Sequence, residues 1–93
     1  MKDKITKEKL IKYLNITEKA LKMAENNIDN KMKEDAEKIL IMVRCYLSDA
    51  KHFEKQGDKV NAFGAINYAH GWLDCGARLG IFNVKDDKLF TAK

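Results

Sequence analysis

A chain of 93 residues can build one hydrophobic core, and 45% hydrophobic against 34% charged residues, with no proline, reads as folded and helical, not disordered. The formal charge of +4 is local: in the first 22 residues seven lysines face three acids, and beyond Lys22 the 11 basic and 11 acidic residues cancel. The first ten residues lack the apolar stretch of a secretory signal, and the longest apolar run, Ile39 to Val43, is far too short for a bilayer, so a cytoplasmic location and no membrane partner are expected.

Leu10, Leu14, Thr17, Leu21, Ala24 and Ile28 recur at alternating spacings of four and three, which predicts one apolar stripe on a helix from about Lys7 to Asn26. Lys12, Lys19 and Lys22 fall opposite that stripe. Thr6 is the expected N-cap, and Ile5 and Leu10 have the spacing of a hydrophobic staple across it. Asn26, Asn27, Asp29 and Asn30 mark the end.

Met32, Ala36, Ile39, Val43, Tyr46, Ala50 and Phe53 repeat the rhythm and predict a second helix from about Lys31 to Gln56, nearly 40 Å long at about 1.5 Å per residue. Gly57 can take the left-handed conformation that ends a helix, and Asp58 can cap the next one. So short a connection makes the second and third helices antiparallel.

The third helix spans about Lys59 to Leu79. Projected at about 100° per residue, it places Ala62, Ala65, Ala69 and Gly76 along one line, with Ile66 and Leu73 on one flank and Trp72 and Leu79 on the other. Small residues there permit close approach, and the apolar arc is wider than the roughly 100° stripe of an ordinary surface helix. Gly80 ends the helix, and Ile81, Phe82, Val84, Leu89 and Phe90 make the segment 81–93 too apolar for a free tail. The expected architecture is all-α: an up-and-down three-helix bundle forming one domain over residues 1–93, with a short C-terminal extension packed back on it.

Within residues 46–82, the text from Tyr46 to Phe82 combines an AKHF segment (Ala50 to Phe53), the Gly57-Asp58 turn, an alanine-rich helix (Ala62 to Ala69), the stretch Tyr68 to Gly76 and Arg78-Leu79-Gly80. In this order these elements resemble the hallmark block of the domain of unknown function 357 family, small archaeal helical proteins. The resemblance implies a closed three-helix bundle and brings no activity, substrate or cofactor. Cys75 stands where an alanine is expected. Ala50, Phe53, Ala62, Ile66 and Ala69 also stand at tetratricopeptide spacings, but one such unit is visible and repeat folds need about three.

Asn67, His70, Asp74 and Arg78 share one narrow arc of the third helix, with His70 and Asp74 at the i, i+4 spacing that lets side chains touch. The arc lies opposite the small-residue line, so its residues are expected to face solvent or a partner. Its alternative is a small-ligand-binding or enzymatic site at His70, Asp74 and Arg78, the enzyme using His70 as acid or base, Asp74 to orient it and Arg78 to hold an anion. No metal is expected: the Glu-x-x-His pairs of bundle metal sites are missing, and His52 falls about 10 Å along the axis from His70 at the helical rise. Cys45 and Cys75 are likewise offset and read as free thiols. No cofactor is expected.

Tyr68 and Trp72, with Ile41, Met42 and Cys45, sit at or beyond the edges of the apolar stripes, where a joined patch would mark a protein interface. Lys9, Lys12, Lys19 and Lys22 could attract nucleic acid weakly. Only Arg44 and Arg78 are arginine, and no aromatic platform accompanies the lysines. The expected function is therefore a non-catalytic protein-interaction or self-associating module, with a protein partner or a second copy in place of nucleic acid.

Overall fold

The structure, a computed structural model, describes residues 3–90; the ends of the expected domain and of its extension lie outside them. Three helices, α1 (Lys7–Glu25), α2 (Lys33–Lys55) and α3 (Lys59–Arg78), account for most of the described chain. They form a body of 42 × 23 × 17 Å. α3 is the central element: α2 packs along it, α1 packs on it less extensively, and α1 and α2 touch little. The all-α three-helix bundle read from periodicity is the fold observed.

The ends are set by the residues that periodicity singled out. Thr6 accepts a hydrogen bond from the Lys9 N–H at 3.1 Å, and Ile5 packs in the same cluster as Leu10, which completes the cap and staple. Gly57 has φ +76°. Its N–H donates to Glu54 O, and that of Asp58 donates to Phe53 O at 2.9 Å, the paired bonds of a Schellman motif. Asp58 then caps α3 through Asn61 N–H, so one residue closes one helix and opens the next. Gly80, φ +77°, repeats the motif at the end of α3, with Gly80 N–H on Ala77 O and Ile81 N–H on Gly76 O. α2 begins two residues later than expected because Asp29 draws the chain into a turn: its carboxylate accepts from Lys31 N–H at 2.8 Å and its carbonyl from Met32 N–H at 3.0 Å.

The buried side chains form two clusters. One gathers Leu10, Ala50, Ala62 and Ile66 near the α2–α3 turn. The larger joins Ala20 and Ala24 to Ile39, Val43, Ala69 and Leu73, and the extension closes it with Ile81, Phe82, Val84 and Phe90. The packed-back extension is thus part of the core. Its backbone also docks: Ile28 and Phe82 form an antiparallel bridge, with Asp29 N–H donating to Ile81 O at 2.9 Å and Asn83 N–H to Asn27 O at 2.7 Å. Ala20, Leu40 and Leu47 are buried outside the expected stripes, since α1 presses from the side on the α2–α3 pair. Conversely, Leu79, read as part of the apolar arc, is 62% exposed, and Met32 lies at the surface. No described helix is long and apolar enough to cross a membrane.

Gly76 lies in the small-residue line of α3, but its closest neighbour is the extension, ahead of α2. A Cβ there would fall 2.6 Å from Phe82 Cδ2 and 3.4 Å from Ile39 Cδ1. A Cβ at Gly64, on the same helix, would meet nothing within 4 Å. The same substitution should therefore have opposite signs at the two sites. Gly76→Ala is expected to destabilise by about 1–3 kcal/mol through overpacking, and Gly64→Ala to stabilise by up to about 1 kcal/mol through helix propensity. Urea unfolding of both variants measures the contrast.

Candidate functional site

The two sides of the α2–α3 hairpin differ because α1 covers one of them. On that side Arg44 pairs with Glu25 at 2.7 Å and Lys51 with Glu18 at 3.4 Å, and Thr17 reaches His70. Tyr46 stands about 140–160° round α2 from Arg44 and Lys51, and Tyr68 about 160° round α3 from His70. The two tyrosines therefore meet on the face away from α1, stacked with ring centroids 4.9 Å apart and planes 4° from parallel. Tyr68 is 63% exposed. Trp72 lies beside it, half-buried against the core, and a shallow apolar hollow of about 290 Å³ is lined by Tyr68, Trp72 and Cys75 with Asn67 and Gly71. Of the outlying apolar residues, Tyr68 and Trp72 come together here. Ile41 is 55% exposed but points elsewhere, about 140° round α2 from Tyr46. The Trp72 indole N–H is buried and finds no acceptor among the described residues, so within them this ring serves by bulk and not by hydrogen bonding.

The polar arc of α3 divides. His70 and Asp74, expected to face solvent, have side chains only 22% and 25% exposed. α1 lies against their flank because it docks on the Ile66–Leu73 side of the small-residue line and not squarely on the line itself. Thr17, 1% exposed, is the buried polar residue of the described core, and its hydroxyl lies 3.0 Å from His70 Nδ1. That contact orients the imidazole and places Nε2 3.7 Å from Asp74 Oδ1, beyond hydrogen-bond range. A cleft of about 340 Å³ opens between Tyr13, Ile16 and Thr17 of α1 and Asn67, His70 and Asp74 of α3, with Lys88 of the extension at its edge. Arg78 is exposed and does not border it. The arc therefore borders a concavity, with His70 and Asp74 partly covered where residues facing solvent or a partner were expected.

Sequence reasoning found His70, Asp74 and Asn67 but missed Tyr13, Ile16 and Lys88, which only the docking of α1 and the extension brings to them. Thr17 carried a signal: a hydroxyl in an otherwise apolar stripe needs a partner once buried. Among the described residues no three His, Cys, Asp or Glu side chains gather to hold a metal. Cys45 and Cys75 are free and exposed. On α1, Lys9 lies 5.8 Å from the centroid of the Phe63 ring and Lys12 6.0 Å from that of Tyr13.

Thr17→Val keeps the shape at this position but strips His70 Nδ1 of its partner. It is expected to cost about 1–3 kcal/mol, the penalty for a polar atom left unsatisfied away from water. Thermal unfolding checks this, and His70→Phe in the same background should recover part of the loss, because both polar partners are then gone.

Comparison with known proteins adds the family. No curated protein and no solved structure matches the chain. The model of one family, described as a protein of unknown function (DUF357), matches residues 12–82, which run from the middle of α1 through the Phe82 that seals the core, and so the chain belongs to the DUF357 family.

Proposed function

We propose that this protein is a non-catalytic, self-associating helical module that acts in the cytoplasm as one three-helix domain, and that a second copy docks on the α2–α3 face opposite α1. The observation that carries the reading is the Tyr46–Tyr68 stack, with Tyr68 63% exposed and Trp72 and Cys75 beside it. Exposed aromatic surface of this kind is enriched at the centre of interfaces and uncommon on surfaces that stay wet.

Charge favours a second copy as the occupant. The whole excess of +4 resides in the first 22 residues, and α1 lies on the other side of the hairpin. A symmetric pair joined through the tyrosine face therefore keeps its lysine-rich helices apart and mates two nearly neutral surfaces. The lysines of α1 give at most a salt-labile, sequence-blind attraction to nucleic acid, because point charges release counterions without reading bases.

Sedimentation equilibrium over a range of concentrations tests the reading. The wild-type chain should associate reversibly, and Tyr68→Glu should weaken association by about tenfold or more, equivalent to ~1.4 kcal/mol. Ile41→Glu, equally polar but on another face, should leave it unchanged. A monomer at every concentration, or equal effects of the two variants, would overturn the proposal.

A further inference from the structure

The cleft between α1 and α3 adjoins the hollow beside Tyr68, sharing Asn67 and Gly71 with it, while Tyr13, Ile16, Thr17, His70, Asp74 and Lys88 border the cleft alone. Its volume of about 340 Å³ falls at the lower end of the range for small-molecule sites, roughly 300–1,000 Å³. Its floor is prepared: buried Thr17 holds His70 through Nδ1 at 3.0 Å, which turns Nε2 to the cleft side beside Asp74. The 3.7 Å from Nε2 to Asp74 Oδ1 is too long for a direct hydrogen bond. An imidazole oriented by a buried hydroxyl, with its second nitrogen on the open side, is ready to bond an incoming group.

The remaining lining selects what that group belongs to. Tyr13 and Ile16 give apolar walls, and Gly71 adds no side chain, its Cβ position meeting nothing within 4 Å. Asn67 offers an amide that both donates and accepts. The Asp74 carboxylate and the Lys88 ammonium are of opposite sign and offset each other, so a ligand of net charge gains little from this pair and loses hydration on entering. We propose that this cleft binds a small, planar, uncharged molecule with a donor and an acceptor on one edge, the chemistry shared by ring carboxamides and nucleobases.

The test uses three rings of one size and shape that differ in charge: benzamide, benzoate and benzamidinium, titrated at millimolar concentration into the full chain at pH 8 and followed by amide NMR. Benzamide should bind at least severalfold tighter than either ion, with resonances of Thr17, His70 and Gly71 moving most. Lys88→Ala leaves the lining with a net negative charge and should shift the preference to benzamidinium. Asp74→Asn leaves it net positive and should shift the preference to benzoate. Ile16→Trp, checked for folding by circular dichroism, should fill the cleft and abolish the response; if it fails to fold, the two charge variants decide. A wild-type preference for either ion, an order indifferent to both charge variants, or no movement at these residues with any of the three would overturn the proposal.

Discussion

The ring of Phe82 rests on the bare backbone of Gly76, and the arrangement of the rest of the molecule depends on that contact. Through it the extension enters the core and fills the space that α1 and α2, which touch little, leave between them at one end of the bundle. Phe82 and Phe90 are among the largest fully buried side chains, each worth roughly 2–3 kcal/mol of apolar burial. The backbone bonds from Asp29 to Ile81 and from Asn83 to Asn27 tie the α1–α2 connection to the same segment. A helix-only bundle of this size would have a smaller core.

Because the extension fills one end, α1 need not lie squarely over the groove of α2 and α3. It sits on the flank of α3, held by Leu10 and Ala24 in the two clusters and by Thr17 on His70. Two consequences follow from this placement. The flank toward α1 becomes a cleft with a partly covered imidazole and carboxylate, and the flank away from α1 keeps Tyr46, Tyr68 and Trp72 at or near the surface. One side of the hairpin is thus polar and concave, the other aromatic and shallow, and the two surfaces suit different partners. Helix-interior glycines at positions 64 and 71, with no neighbour at their Cβ positions, leave the outward surface of α3 smooth between them.

The electrostatics keep the same division. The lysine excess is carried on α1 and the residues that precede it, while the α2–α3 hairpin balances its charges within itself. The ion pairs that join α1 to α2, Arg44 with Glu25 and Lys51 with Glu18, have side chains more than a third exposed, and exposed pairs contribute roughly 0–1 kcal/mol each. They align the helices, while the alanine-rich contacts and the two phenylalanines hold them.

Much of this was legible in one dimension because it is local. Helix periodicity, the Thr6 cap, the reversal at Gly57-Asp58 and the stop at Gly80 each depend on residues within a few positions of one another, where backbone sterics and 3.6-residue geometry leave few choices. The composition of the extension likewise required burial, though not where. Only the tertiary structure decided which flank of α3 α1 would cover, since Ile66 and Leu73 on one side and Trp72 and Leu79 on the other are comparably apolar. That choice turned His70 and Asp74 from an exposed arc into the wall of a cleft, brought Thr17, Tyr13 and Lys88 to them across gaps of 14 to 61 positions in the chain, left Arg78 outside, and gave Gly76 its neighbour in Phe82. Such contacts depend on how whole surfaces fit together, a property that no window of sequence contains.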